Sequence, residues 1–274
     1  MTKVIVITGS SDGIGAAAAR QLHSAGHRVV VVGRSPRKTE AVAREIGAEH
    51  FLADFARLDE VRKLAAELDA AYPRIDVLAN NAGGVFGDPT KTTDGFELTF
   101  QINHLAPFLL TRLLIDKLTA SRATVIQTSS VGARLAGKLD VDDLNLDRNF
   151  DPVRAYSAAK LENILFTTEL HRRYHAEGIA AAAFHPGNVA TSFGTQSASR
   201  LMRFITTNPV TRAMLTTPEK GADQLVWLAT SRPGIDWEPG RYYEKRRPAK
   251  RVNSQAYDPE LARRLWERSE QLLG

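Results

Sequence analysis

Tyr156 and Lys160 stand four residues apart within a stretch that is typical of a helix, residues 153–177. On a helix this spacing places two side chains on one face, one turn apart. An unperturbed tyrosine has a pKa of about 10, and a neighbouring ammonium group favours loss of its proton. The pair therefore predicts a general acid/base in which Lys160 lowers the pKa of Tyr156.

A glycine-rich turn at residues 8–15 predicts a phosphate-binding site. It follows the apolar run 4–7, which is typical of a buried strand, and precedes the alanine-rich stretch 16–22, which favours a helix. Glycines let a backbone approach a pyrophosphate, and a helix N-terminus offers free amides. An ordinary turn is the alternative, but the flanking strand and helix favour phosphate binding. The expected contacts of a dinucleotide with this turn are Gly9, Ser11, Asp12, Gly13, Ile14 and Gly15.

Apolar strands alternate with helical patterns along the 274 residues. The predicted strands are 3–8, 28–33, 49–53, 75–79, 123–128, 179–184 and 240–243. The predicted helices lie near 13–25, 36–46, 57–72, 94–118, 153–177, 218–231 and 258–271. This alternation predicts an α/β fold, a doubly wound parallel sheet of about seven strands with helices on both faces. No repeat or linker interrupts it, so residues 1–274 are expected to form a single domain.

Composition excludes several classes of protein. The chain has no cysteine, which rules out disulfides and thiolate metal sites. No run of about 18 apolar residues predicts a membrane span, and the first strand begins too early to leave room for a signal peptide. We therefore expect a cytoplasmic protein. The net charge of +5 is densest at 245–251, where the lack of interleaved aromatic residues favours a solvated loop over a nucleic-acid surface.

Two histidines and the last helix are predicted to be structural. His104 and His185 have no partner at a metal-ligand spacing, so no metal site is expected. The helix 258–271 carries leucines and Trp266 among charged residues. This amphipathic pattern predicts that the helix docks on the core or on a second subunit.

Six motifs in order resemble the short-chain dehydrogenase/reductase family, along nearly the whole chain. The turn 8–15 has the spacing Thr-Gly-x-x-x-Gly-x-Gly, and Tyr156 and Lys160 form Tyr-x-x-x-Lys. The other matching segments are Asn-Asn-Ala-Gly at 80–83, Asn103, Ser129-Ser130, and the Pro-Gly turn at 186–191. The resemblance implies a Rossmann-like fold and hydride transfer between a nicotinamide cofactor and a small molecule with a carbonyl or alcohol group.

The resemblance also implies catalytic roles. Tyr156 would give a proton to a carbonyl oxygen during reduction, and Lys160 would lower its pKa and bind the nicotinamide ribose. Ser130, rather than its rival Ser129, would bind the substrate oxygen. Asn103 would kink its helix and anchor a water that links Lys160 to solvent. Further cofactor contacts implied by the resemblance are Asn81, Ala82, Gly83, Tyr156, Lys160, Pro186, Gly187, Val189 and Thr191.

The end of the second strand favours NADP(H). Enzymes that select NAD usually carry an acidic residue here, whereas this chain has Gly33 followed by Arg34. A guanidinium can bind a 2′-phosphate that a carboxylate would repel. NAD(H) stays open, because Arg34 could simply be solvated. Asp54 matches the family position that faces the adenine amino group, and its alternative role is to cap the next helix.

The interval between Ser130 and Tyr156 is 26 positions and contains an Asp-Leu-Asn tract at 143–145. With the segments around Asn103 and Lys160, this tract resembles the retinol-dehydrogenase-like and WW-domain-oxidoreductase-like subgroup, without its WW module or membrane anchor.

Residues 190–217 are expected to form a substrate lid, whose bulky apolar residues would suit a lipophilic substrate. Helices 94–118 and 153–177 form a dimer face in many relatives, so the resemblance allows a homodimer or a homotetramer. The alternative to an enzyme is a non-catalytic dinucleotide-binding redox sensor, and the intact Asn103, Ser130, Tyr156 and Lys160 favour the enzyme.

Overall fold

Eight strands form one sheet in the computed structural model, which describes residues 2–187 and 216–274. The strands are β1 (Val4–Thr8), β2 (Arg28–Gly33), β3 (Glu49–Leu52), β4 (Val77–Asn80), β5 (Thr124–Thr128), β6 (Ala180–Phe184), β7 (Arg241–Glu244) and β8 (Arg247–Pro248). Their order across the sheet is β3-β2-β1-β4-β5-β6-β7-β8. The first seven pair in parallel, and β8 pairs antiparallel with β7.

Nine α-helices of the described ranges flank the sheet. They are α1 (Gly13–Ser24), α2 (Pro36–Ile46), α3 (Leu58–Ala71), α4 (Leu98–Phe100), α5 (Ala106–Leu113), α6 (Ile115–Ala120), α7 (Pro152–Tyr174), α8 (Pro218–Thr230) and α9 (Pro259–Leu273). One layer contains α3, α5, α7 and α9, and the other contains α1, α2 and α8. The predicted doubly wound α/β fold is therefore confirmed.

The strand order explains where a ligand site can form. The chain runs from β1 outward to β3 and then returns to the other side of β1 with β4. In such sheets a crevice opens at the carboxyl ends of the strands where the order reverses. The glycine-rich turn after β1 and the Asn-Asn-Ala-Gly segment after β4 both follow strands that meet at this point.

The predicted helix 94–118 differs most from the structure. The helix begins only at Leu98, because Glu97 caps it by accepting hydrogen bonds from the backbone N–H groups of Thr99 and Phe100. A π-helical turn (Gln101–Leu105) joins α4 to α5, and the helix breaks again at Leu114. The single periodic stretch is therefore a series of short pieces, with Asn103 inside the π-helical turn.

The basic stretch 245–251 contains the turn of the β7–β8 hairpin, which was not predicted. Lys245 and Arg246 both have a positive φ, at 52° and 59°. This is the left-handed region that tight two-residue hairpin turns need, and Asn or Gly usually signals it. Arg246 pairs with Asp223 of α8, which helps to hold the turn against the body of the protein.

The terminal helix α9 packs on the core, which is one of the two arrangements that were predicted for it. Trp266 is 1% exposed, and its ring lies 5.6 Å from that of Phe166 on α7 and 4.9 Å from that of Phe108 on α5. The guanidinium groups of Arg112 and Arg173 lie over the same indole, 5.7 and 4.9 Å from its centroid. The helix therefore covers part of the two helices that the resemblance associated with a dimer face.

Two predictions lie largely outside the described residues. These are the substrate lid near 190–217, of which Thr216 and Thr217 alone are described, and the cofactor contacts Val189 and Thr191.

Candidate active site

Tyr156 and Lys160 lie in the first half of α7, where the helix passes the carboxyl end of β5. The helix begins at Pro152, and the Asp151 side chain accepts a hydrogen bond from the Arg154 backbone N–H. The Lys160 ammonium lies 5.4 Å from the centroid of the Tyr156 ring and donates to the Thr128 carbonyl oxygen at 3.2 Å. The predicted pair thus shares one face of the helix beside the end of β5.

The two serines after β5 have different environments. Ser129 is 1% exposed, and its hydroxyl donates to the Lys160 carbonyl oxygen at 2.6 Å. Ser130 instead forms a side-chain hydrogen bond with Tyr156 and accepts one from the Gly132 backbone N–H at 3.1 Å. Ser129 therefore holds α7 against the sheet, while Ser130 faces the phenol.

Asn103 lies in the π-helical turn, and three side-chain hydrogen bonds to residues outside that turn fix it. Its amide nitrogen donates to the carbonyl oxygens of Thr99 at 2.8 Å and Gly84 at 2.9 Å, and its amide oxygen accepts from the Gly84 N–H at 3.2 Å. The side chain thus satisfies the Thr99 carbonyl, which a regular helix would pair with the Asn103 backbone N–H. The side-chain amide thus replaces the backbone N–H as the partner of this carbonyl oxygen, and the helix widens here. The resemblance had implied a kink at Asn103.

Two glycines keep the space around these side chains open. A Cβ on Gly83 would lie 2.6 Å from the Asn103 amide oxygen and 3.3 Å from the Lys160 ammonium. A Cβ on Gly132 would lie 3.3 Å from the Tyr156 ring. Gly83 was predicted as a cofactor contact. The role of Gly132 was not predicted, and the signal for it in the sequence is its position two residues after Ser130.

Burial shifts both ionisable groups, and the direction for the tyrosine was wrong. Desolvation raises the pKa of Tyr156, and its hydrogen bond with Ser130 lowers that pKa by a smaller amount. Desolvation also lowers the pKa of Lys160 to about 7. Burial disfavours the charged form of each group, so desolvation of the phenolate sets the direction for Tyr156 in this structure.

The backbone of the glycine-rich turn approaches neighbouring residues so closely that side chains at Gly9 and Gly15 would clash with them. Gly9 has a φ of +67°, and a Cβ there would lie 2.8 Å from the Ala82 Cα. A Cβ on Gly15 would lie 2.4 Å from the Gly9 carbonyl oxygen and 2.7 Å from the Asn81 amide nitrogen. The bare backbone and the N-terminus of α1 fit a dinucleotide pyrophosphate. Gly13 begins that helix, and Ile14 packs its side chain against the core layer that contains α1.

Thr8 joins this turn to the segment after β4, a role that the sequence analysis missed. Its hydroxyl oxygen accepts hydrogen bonds from the backbone N–H groups of Asn81 and Ala82, both at 3.0 Å. The Asn81 amide nitrogen also donates to the Thr8 carbonyl oxygen at 3.0 Å. The predicted contacts Gly9, Asn81 and Ala82 therefore lie together in one hydrogen-bonded unit.

The second strand ends beside the same turn. A Cβ on Gly33 would lie 2.8 Å from the Ser11 Cβ and 2.5 Å from the Thr39 hydroxyl, so the close approach requires glycine. Asp12 caps α1 by accepting from the Gly13 N–H at 2.7 Å, and it pairs with Lys38 at 2.7 Å. Arg34 is exposed and forms no ion pair within residues 2–187 and 216–274.

Asp54 is half-buried, and it does not cap α3, which was named as its alternative role, because α3 begins after Arg57 without a side-chain cap. Its carboxylate accepts a hydrogen bond from the Ala56 N–H at 3.0 Å, and its carbonyl oxygen accepts from the Arg57 N–H at 2.9 Å. These bonds shape the turn that leads into α3. The contact of Asp54 with an adenine amino group stays a prediction.

Pro186 and Gly187 follow β6 at the same edge of the sheet, and Gly187 has a φ of +90°. His185 lies just before them, and its backbone N–H donates to the Tyr243 carbonyl oxygen at 2.9 Å. Burial lowers the pKa of His185 to about 4. His104 is 1% exposed, stacks on Phe100, and has its pKa lowered to about 3 by burial. Both histidines are packed and neutral, in agreement with the predicted structural roles.

Comparisons with known proteins give one family. A family profile described as short chain dehydrogenase matches residues 3–201. A Streptomyces sp. (strain C5) protein provisionally named daunorubicin C-13 ketoreductase DnrU is 43% identical over 99% of this chain and 93% of its own length. Human retinol dehydrogenase 13 is 36% identical over 99% of this chain and 85% of its own.

A solved structure extends this likeness to the fold. The crystal structure of an uncharacterized protein from Mycobacterium Paratuberculosis is 33% identical, with a TM-score of 0.77 over 98% of this chain and 92% of its own. Within the described ranges of the present chain, no helix has the length and apolar character that crossing a membrane requires.

Proposed function

Because the chain belongs to the short-chain dehydrogenase family, we propose that it is an NADP(H)-dependent oxidoreductase that interconverts a carbonyl and an alcohol. The observation that carries the proposal is the position of Tyr156. Its phenol is hydrogen-bonded to Ser130 and lies beside Lys160, at the sheet edge where the glycine-rich turn also lies. A proton donor, a polar anchor and a dinucleotide cradle are the parts that such a reaction needs.

The side chains of this chain supply protons and placement, and the bound dinucleotide supplies or accepts the hydride. Ser130 and Tyr156 together bind the substrate oxygen through their hydroxyl groups. During reduction Tyr156 donates its proton to that oxygen. Its raised pKa keeps the phenol protonated at neutral pH, which suits a proton donor.

Lys160 and Asn103 support this proton transfer. The charged form of Lys160 stabilises the phenolate that forms when Tyr156 loses its proton. With a pKa of about 7, the amine can itself take up or release a proton near neutral pH. Asn103 lies near this amine across Gly83, where it can hold a water that connects the amine to solvent.

The preference for NADP(H) over NAD(H) rests on charge at the end of β2. Gly33 offers no carboxylate to bind the ribose hydroxyls, and Arg34 is exposed with no ion pair among the described residues. A guanidinium in this state can bind the 2′-phosphate of NADP(H) in bidentate fashion.

A lipophilic substrate is the finer part of the proposal. The names of the two relatives specify a ketoreductase and a retinol dehydrogenase. The sequence of the expected lid adds Phe193, Met202 and Phe204, which could contact apolar groups.

The test is turnover by Tyr156→Phe against a panel of lipophilic ketones, aldehydes and alcohols, followed by the absorbance of NADPH. We expect the variant to bind NADPH like the wild type but to lose about 100- to 10,000-fold in kcat, because the proton donor is gone. Tyr174→Phe, at the other end of α7, is the matched control and should keep its activity.

Near-normal turnover by Tyr156→Phe would remove the tyrosine from the mechanism. If the wild type binds NADPH tightly but turns over no member of the panel, the non-catalytic redox sensor becomes the better description.

A further inference from the structure

The long segment between Ser130 and Tyr156 is fastened to the residues that precede α4. The Asn145 amide oxygen accepts a hydrogen bond from the Glu97 backbone N–H at 3.0 Å. Two residues further along, Asp147 forms an ion pair with Lys91 at 2.8 Å. These contacts connect a partly exposed, acidic part of the chain to a helix start that is remote from it in sequence.

Glu97 continues this connection toward the site. The residue is 3% exposed, and its two carboxylate oxygens accept from the N–H groups of Thr99 at 2.9 Å and Phe100 at 2.7 Å. The carboxylate thereby fixes the one turn of α4. The carbonyl oxygen of that turn, on Thr99, accepts the amide of Asn103 at 2.8 Å.

The consequence is a continuous series of contacts from the surface to the site. Asn145 holds the backbone of Glu97, the Glu97 carboxylate holds Thr99, and Thr99 holds Asn103. Asn103 in turn lies against Gly83 and, across it, Lys160. A π-helical turn departs from regular helix geometry, so its shape depends on such side-chain contacts.

We propose that Asn145 and Glu97 are positioning residues that act on the reaction through Asn103, so that the lengthened segment braces the site. This rests on the proposed function. This positioning role differs from capping of α4 alone. Loss of a cap can leave every side chain outside the capped turn in place, whereas loss of a positioning contact displaces Asn103.

The test is Asn145→Leu, which keeps the approximate volume but removes the hydrogen-bond acceptor. We expect kcat to fall about 10- to 100-fold while the KM for NADPH stays unchanged, because misplacing a supporting group costs rate rather than cofactor affinity. Asn145→Asp retains an acceptor oxygen and should recover most of the rate. Asn149→Leu makes the same exchange at an exposed position of the same segment and is the matched control.

Coupling to Asn103 separates positioning from general damage. In an Asn103→Ala background, Asn145→Leu should cost almost no further rate, because the group through which it acts is absent. Full additivity of the two changes, or equal losses from Asn145→Leu and Asn149→Leu, would overturn the proposal.

Amide hydrogen exchange gives a readout that does not need activity. The amides of residues 98–105 should exchange about tenfold faster in Asn145→Leu than in the wild type, and should be unchanged in Asn149→Leu. Unchanged exchange in both variants would overturn the proposal even if the protein is an active enzyme. Faster exchange in Asn145→Leu alone, in a protein that turns over no carbonyl, would support the brace while the proposed function fails.

Discussion

Ser129 and Ser130 are adjacent, yet their hydroxyl groups contact different partners, which makes them a matched pair for mutation. Ser130→Ala removes a partner of the Tyr156 phenol and the proposed anchor of the substrate oxygen. We expect a loss of about 100-fold in kcat/KM, a typical cost of removing a group that stabilises the transition state. Ser129→Ala should leave the rate within about threefold and instead lower thermal stability, because a buried hydrogen bond to the Lys160 carbonyl is lost. Steady-state kinetics and thermal unfolding of both variants decide this, and the reverse order would reassign the serine role.

Arg34 is the residue on which the choice of cofactor depends. Arg34→Ala should weaken NADPH binding about 10- to 100-fold and leave NADH binding nearly unchanged, because only NADPH carries the 2′-phosphate. Titration of both cofactors by fluorescence measures the effect. Arg44→Ala, an exposed arginine of α2 away from the turn, should change neither affinity. Equal losses for the two cofactors in Arg34→Ala would exclude the phosphate contact.

The sequence predicted which side chains of the candidate site lie together, but it did not predict how burial affects their protonation. Spacing alone put Tyr156 and Lys160 on one face, and the structure places them so. The spacing carried no information about burial, which depends on the packing of β5, the turn after β4 and the start of α7 around them. That is why the predicted direction of the Tyr156 pKa was wrong. The same reason hid Thr8, whose hydroxyl serves a segment more than seventy residues away.

At the scale of elements, α9 makes a large contribution through Trp266. Trp266→Ala should reduce the free energy of unfolding by about 3–5 kcal/mol, because it empties a site filled by a fully buried indole between α5 and α7. Chemical denaturation of the variant measures the loss. Arg264→Ala, at an exposed position of the same helix, should change stability by about 0.5 kcal/mol or less. A similar small change for Trp266→Ala would show that α9 contributes little to the core.

Strands and helices were predicted with unequal success, for a local reason. The β-branched run of β2 gave bounds identical to the observed Arg28–Gly33, because a strand buried on both faces leaves a continuous apolar signal. The helix expected at 94–118 failed because its start and its widening are set by side-chain hydrogen bonds of Glu97 and Asn103. Hydrophobic periodicity does not report such bonds. The surface that α9 contacts could not be predicted either. Its amphipathic pattern is the same whether the helix packs on its own core or on a second subunit.

For the whole molecule, the buried Glu162 carboxyl couples stability to pH. Desolvation, with a smaller effect from nearby Glu97, raises its pKa well above the usual range. Above a pH of about 4.5 the unfolded chain releases this proton while the folded protein keeps it, so stability falls as the pH rises toward the folded pKa. We expect the stability of the wild type relative to Glu162→Gln to decrease over that range, by about 1.4 kcal/mol per pH unit at most.

Urea denaturation of both proteins between pH 4.5 and 8 measures this difference, and shifts that are common to the two, such as those from His104 and His185, cancel. Glu177→Gln, at an exposed position after α7, should follow the wild type. If the curve of Glu162→Gln also runs parallel to that of the wild type, the buried carboxyl does not hold its proton as described.

The packing of α9 also has a consequence for biosynthesis. Trp266 fills the space between Phe108 and Phe166, yet ribosomes make it long after both. A nascent chain that already carries the glycine-rich turn and α7 would still expose these rings to water, and exposed apolar surface of this kind favours aggregation. The aromatic core can therefore close only after Trp266 has been synthesised. Until then, the exposed rings of Phe108 and Phe166 favour aggregation.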